Sequence, residues 1–213
     1  MAMKKFILIV LASMLMPTAG AQEGVDKFTI VPFAGEEMNW LLENEGTFAR
    51  KIDFSFIKGK PYLLHIFLEE YRNQEKTGNI FYNKYETSFS DENWSYELDN
   101  ILVSFKMQND STSMFNYKIG EYGGGRPIKL HRNEGIMSAL YHERPFILDE
   151  FEPGKRFPVM VYGSAYPEKQ GELTILRFCM DNELPANMEH EAFDNMPHYV
   201  ILFLQLDKLP SSE

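Results

Sequence analysis

Cysteine is almost absent: Cys179 is the only one in 213 residues, so no bridge can form within the chain and cohesion must come from burial and hydrogen bonding. Basic residues are few as well, 21 against 31 acidic ones for a formal charge of −10. A surface of that sign repels phosphate backbones and anionic membranes, which argues against nucleic-acid binding. Past the N-terminal segment no apolar run reaches membrane-spanning length. Tyr199 to Leu206 is the strongest, with Gln205 and Asp207 closing it, so no membrane insertion of the mature chain is expected.

Catalytic signatures are missing too. There is no Gly-x-Ser-x-Gly elbow, and Gly163-Ser164-Ala165 lacks the second glycine. The run Gly123-Gly124-Gly125 has no Gly-Lys-Ser/Thr ending and is read as a flexible loop or bulge. His190-Glu191 resembles the start of a zinc-protease helix, but position 194 is aspartate where a second imidazole would be needed. The acids and histidines from Asp181 to His198 therefore read as a solvated loop. His131 and His142 could approach one another across strands, yet no third ligand is specified, and the expectation is no metal and no cofactor. Cys179, between Phe178 and Met180, reads as a buried, inert thiol.

What is present begins with an export address. Lys4 and Lys5 precede the apolar stretch Phe6 to Met16, and Ala19-Gly20-Ala21 supplies small side chains for a signal peptidase. Residues 1–21 are expected to be a signal peptide, and residues 22–213 a single domain. Gln22 stands where a lipoprotein would need cysteine, so no lipid anchor is implied. Cleavage would leave 19 basic and 31 acidic residues. The expected destination is the periplasm or beyond.

In the mature chain the dominant pattern is period-two alternation broken by turn residues, the mark of half-buried antiparallel strands. Ile52, Phe54 and Phe56 alternate with Lys51, Asp53 and Ser55. Ile101 to Met107 and Phe115 to Ile119 flank a polar turn and predict a hairpin. Ile128 and Leu130, followed by Asn133-Glu134-Gly135 and Ile136 to Tyr141, predict a second. Phe146 to Phe151 leads through Glu152-Pro153-Gly154 into Phe157 to Tyr162. Leu173 to Met180 and Tyr199 to Leu206 are apolar on both faces and are placed centrally in their sheets. Glu36 to Asn44 predicts a short helix ending before Gly46. Tyr62 to Tyr71 fits both periods and is assigned as a hairpin partner of the strand before Gly59. Asn187 to Asn195 predicts one or two helical turns within a long connection. The fold class is all-β, an antiparallel sandwich of about ten strands with one or two short helices in connections.

Aromatic residues make up 14% of the chain, and most belong in the core. Trp94, after Ser90-Asp91-Glu92-Asn93, and Tyr122, beside the glycine run, are the two proposed as exposed ligand contacts. The leader, the size and the strand pattern resemble the small exported β-sandwich proteins of unknown function of gut-type Gram-negative anaerobes. Such a resemblance implies a fold and a compartment and leaves function open. The expected function is a secreted, non-catalytic binding or adhesion module for a glycan or protein partner. The alternatives are a hydrolase whose acids or histidines converge only in the fold, or an assembly protein pairing through strand edges.

Overall fold

The structure, a computed structural model, describes residues 28–90, 95–131, 140–148, 151–177 and 182–209. In chain order it contains β1 (Thr29–Pro32), α1 (Glu36–Asn44), β2 (Thr47–Asp53), β3 (Tyr62–Arg72), β4 (Glu75–Glu86), β5 (Ser88–Ser90), β6 (Ser95–Glu97), β7 (Asn100–Asn109), β8 (Thr112–Ile119) and β9 (Tyr122–Lys129). There follow β10 (Tyr141–Ile147), β11 (Arg156–Ser164), β12 (Tyr166–Gln170), β13 (Leu173–Arg177), β14 (Leu184–Pro185), α2 (Glu191–Asn195) and β15 (His198–Lys208).

Two sheets carry the fold. One has the order β1-β2-β7-β8-β9 and the other β14-β10-β11-β15-β3-β4, antiparallel apart from the short β10–β14 pairing. Their inner faces meet as a β-sandwich, with alternate side chains filling the space between them. Phe105 of β7 stacks on Tyr162 of β11 with ring centroids 4.6 Å apart and planes 5° from parallel. Phe115 of β8 meets Phe81 of β4 at 6.0 Å, so the contact runs across the width of both layers. Along one side the edge strands β4 and β9 close together, where the Tyr85 hydroxyl donates to that of Tyr117 at 3.0 Å and Arg126 lies 5.5 Å from the Phe81 ring centre.

Several expectations hold. The helix spans Glu36–Asn44, followed by Gly46 at φ +68°, a left-handed conformation that costs glycine little. β7 and β8 form the predicted hairpin, and β10 pairs with β11 around the turn at Gly154. β15 is central, and its seven side chains from His198 to Leu204 are all buried. It is apolar on both faces because each face is covered, one by the opposing sheet and the other by the connection carrying α2. The outer cover forms a second core of Phe146, Val161, Phe193, Met196, Tyr199 and Ile201.

Four expectations are corrected. Tyr62–Arg72 is a strand, but it pairs with β15 and β4 instead of β2. A single 3₁₀ turn at Ser55–Ile57 and Gly59 at φ +72° carry the chain from one sheet to the other, because Ile52 and Leu64 fill the same core from opposite layers. The second hairpin's turn and most of its return strand lie outside the described residues; of its ends, Ile128 lies in β9 of the first sheet and Tyr141 starts β10 in the second, so the two described ends are not paired with each other. Gly135 lies outside the described residues. Leu173–Arg177 is not central; it pairs only with β12, and Leu173 and Ile175 face solvent. Alternation cannot separate an unpartnered ribbon from a buried strand when no layer covers it.

The glycine run, finally, is regular strand. Gly123, Gly124 and Gly125 pair with Lys118, Tyr117 and Asn116. Their lack of side chains lets the neighbouring strand's side chains close over the backbone, since a Cβ on Gly124 would lie 3.1 Å from the Tyr117 hydroxyl and one on Gly125 only 2.7 Å from Asn116 Oδ1.

Candidate functional site

The alternation of β3 sends Leu64, Ile66 and Leu68 into the core and His65, Phe67 and Glu69 to the outer face of the six-stranded sheet. Cross-strand register sets Phe67 between Tyr82 of β4 and Phe203 of β15, and His65 between Lys84 and Gln205. The cover of α2 and its connection lies over β10, β11 and β15 and reaches Phe67, while the Tyr82 ring on the β4 edge is left open. His65, Phe67 and Tyr82 form an aromatic platform there. The His65 and Phe67 rings are 6.1 Å apart and 9° from parallel, and Tyr82 lies 5.0 Å from Phe67 and 6.0 Å from His65. Tyr82 is 51% exposed.

Polar contacts flank this platform. His65 Nδ1 is hydrogen-bonded to the Tyr82 hydroxyl at 2.9 Å, and His65 Nε2 lies 3.0 Å from Asp207 Oδ2 without hydrogen-bond geometry. Gln205 in turn donates to Asp207 Oδ1 at 2.8 Å. Three strands thus contribute to one acid–imidazole–phenol line whose phenol end is open to solvent. On the other flank the Arg156 guanidinium sits 4.5 Å from the Phe67 ring centre and 4.0 Å from that of Phe203, a cation–π position on both. Glu69 fixes that guanidinium and also accepts from Lys76 and from the Tyr71 hydroxyl. Burial alone would raise the Glu69 carboxyl; the hydrogen bonds from Lys76, Arg156 and Tyr71 outweigh it and hold the group below the ordinary carboxylate value.

Arg156 also lines a pocket of about 250 Å³ together with Glu152, Lys155, Phe157, Ala186 and Asn187. The pocket's far wall belongs to the connection between β13 and β15. An exposed tyrosine ring, a half-buried salt-bridged arginine and a small pocket of mixed apolar and polar lining therefore adjoin, and such a surface suits a ligand with one apolar face and hydroxyls around it.

Of the two contacts proposed from the sequence, Trp94 lies outside the described residues. Tyr122 is 56% exposed with its ring 6.2 Å from Tyr85, at the closure of β4 on β9. It is not part of the platform, because Tyr82 and Tyr85 are three apart on a strand and point to opposite faces. His131 and His142 do not converge: the His131 backbone donates to the Tyr141 hydroxyl at 2.8 Å, while His142 packs 4.6 Å from Phe48. Among the described residues no three His, Cys, Asp or Glu side chains are grouped to hold a metal ion. His190 caps α2 by accepting from the Ala192 N–H at 3.1 Å. Asp181 and Cys179 lie outside the described residues.

His198 is fully buried, with Tyr141 at Nδ1 and Glu70 at Nε2, 3.0 Å away. Because Tyr141 accepts from the His131 N–H, its own proton points to Nδ1, and the neutral imidazole donates from Nε2 to Glu70. This second acid–imidazole–phenol line is enclosed, and its groups tie β3, β10 and β15 together.

The domain-of-unknown-function family DUF5041 matches residues 19–208, nearly the whole chain. The protein belongs to that family. No curated protein and no solved structure matches it. Membership of DUF5041 carries no activity with it, so the chemistry has to be argued from the platform itself.

Proposed function

We propose that this protein is a non-catalytic binding module that acts outside the cytoplasm and takes carbohydrate on the open outer face of its six-stranded sheet. The observation that carries the reading is the His65–Phe67–Tyr82 platform, three rings within 28° of parallel, with Tyr82 exposed at its open end and Asp207 and Arg156 against His65 and Phe67. Pyranose C–H faces stack on such rings, and flanking Lys84, Gln205 and Asp207 supply hydrogen-bond partners for hydroxyls. The export address before residue 22 supports the compartment. Glycan-array screening of the purified chain, repeated with Tyr82→Ala, tests the reading: a glycan retained by the parent and lost by the variant is expected. Binding unchanged by Tyr82→Ala, or a silent array, sinks it.

A second reading is favoured by the Asp207–His65–Tyr82 line, an acid and a histidine that meet only in the fold. In a hydrolase, His65 would polarise the Tyr82 hydroxyl while Asp207 held the imidazole's orientation. Turnover of chromogenic ester or glycoside substrates that His65→Ala abolishes would favour this reading over simple binding.

A further inference from the structure

Helix α1 lies against β2 without fully burying any of its side chains. Met38, Trp40 and Leu41 are each more than half exposed, Trp40 at 64%, and Phe33, just before the helix, is nearly so. Only Leu42 among its apolar residues is half-buried, and Asn39 ties the helix start by accepting from the Ala34 N–H at 3.3 Å and donating to the Ala34 carbonyl. A helix of nine residues has little stability of its own in water and normally takes it from a packed apolar face. On α1 that face is bare.

Beside it, on the outer face of the five-stranded sheet, runs an apolar groove of about 320 Å³ lined by Phe33, Leu42, Ala49 of β2 and Leu102 of β7. Ala49 and Leu102 face outward because their chain neighbours Phe48, Ile101 and Val103 are buried in the sandwich. Leu42 joins the groove to Leu41 on the exposed helix surface, so the two make one apolar face. The charge around that face has one sign at the helix: α1 carries Glu36, Glu37 and Glu43, with Glu45 just after it, and no lysine or arginine. Glu36 stands one turn before Trp40 and Glu37 one turn before Leu41, and these four line a common hollow. Glu36, Glu37 and Glu45 make no ion pair or side-chain hydrogen bond among the described residues. Glu45 sits at the negative end of the helix dipole, where a cation is favoured. Lys118 also lines the groove, but on β8, two strands away from β2.

We propose that α1 and this groove are the docking surface for another protein, through an amphipathic segment whose apolar side chains are flanked by lysine or arginine. Apolar anchors of the segment cover Trp40 and Leu41 and enter the groove, while its cations meet Glu36, Glu37 and Glu45. A second copy of the chain does not fit, since it brings the same glutamates and a formal charge of −10. Anionic lipid is repelled for the same reason. The surface is independent of the carbohydrate platform, which lies on the outer face of the other sheet.

The test uses an amphipathic peptide of leucine and lysine, about 18 residues long so that it can form a helix. Controls replace its leucines by alanine or its lysines by glutamate. Trp40 and Trp94 are the only tryptophans, so Trp94→Phe makes emission a report on Trp40 alone. The leucine–lysine peptide should shift that emission to the blue, and calorimetry should show binding that weakens in high salt. Both control peptides should bind at least tenfold more weakly. Trp40→Ala, and Glu36→Gln combined with Glu37→Gln, change exposed side chains and should each lower affinity about tenfold. Tyr82→Ala should leave it intact, which separates this surface from the platform. Silence with the leucine–lysine peptide, equal binding of the alanine peptide, or indifference to Trp40→Ala overturns the proposal. So does a blue shift produced by raising the protein concentration alone, which assigns the face to a second copy, or by phosphatidylcholine vesicles, which assigns it to lipid.

Discussion

Arg50 and Glu143 meet across the two sheets, guanidinium Nε to carboxylate Oε1 at 2.7 Å, with the glutamate almost wholly buried and the arginine 21% exposed. They sit on the side of the sandwich opposite the β4–β9 closure, so the ion pair joins the layers there, as aromatic packing does at β4 and β9. The two partners are not equivalent. Arg50→Ala leaves a carboxylate stranded with both oxygens unpaired, whereas Glu143→Gln keeps its shape and one acceptor. Urea unfolding should show a loss of about 3 kcal/mol for Arg50→Ala and about 1 kcal/mol for Glu143→Gln. The reverse ranking would mean the pair does not bridge the layers as described.

Phe105 fills the centre of the sandwich, fully buried between Phe115 on its own sheet and Tyr162 on the other. Its removal opens a cavity that neither rigid sheet can collapse into. Phe105→Ala should cost about 3–5 kcal/mol in equilibrium unfolding. Burial also pushes the Tyr162 hydroxyl up to about 12, so alkaline titration of intact protein should leave this tyrosine protonated at a pH where exposed tyrosines have ionised.

Strand β9 needs its glycines for contact, not for flexibility. A methyl at position 125 would approach Asn116 Oδ1 at 2.7 Å and the Phe115 carbonyl at 3.0 Å, while one at Gly78 in β4 meets nothing within 4 Å. Gly125→Ala should destabilise by about 1–3 kcal/mol, and Gly78→Ala should be neutral or slightly stabilising. Equal effects at the two sites would refute the close-packing account.

Acid should weaken the fold through its buried histidines. Burial lowers His198 below the ordinary 6.5, more than the bond to Glu70 raises it, and burial lowers His142 likewise. Below about pH 6.5 the unfolded chain therefore binds more protons than the folded one. Stability from these groups is complete above that pH and is lost as pH falls towards the folded values. Melting temperature followed from about pH 7.5 to 5.5 should drop, and His198→Gln should be less stable with a shallower slope. A slope unchanged by that substitution would remove His198 from the account.

The sandwich was legible because alternation is a direct record of one wet and one dry face: the β7–β8 hairpin, α1 and the central strand β15 all follow from side-chain spacing alone. The platform was not. His65, Phe67 and Tyr82 read locally as ordinary strand residues, and the stretch holding His65 and Phe67 fitted a helical stripe as well. They become a site because β3 pairs with β4 and β15, and because α2 and its connection cover one part of the outer face and leave the other open. Nor does any spacing bring Phe33, Leu42, Ala49 and Leu102 to one groove.

Composition and period by themselves determined an acidic, disulfide-free all-β chain with a large aromatic core, because those properties depend on each residue and its near neighbours. Tertiary structure decided which strands are partners, which apolar strand is covered, and which polar groups converge. Those depend on long-range register and on where a covering layer stops, and a one-dimensional pattern carries no distance between segments that lie far apart along the chain.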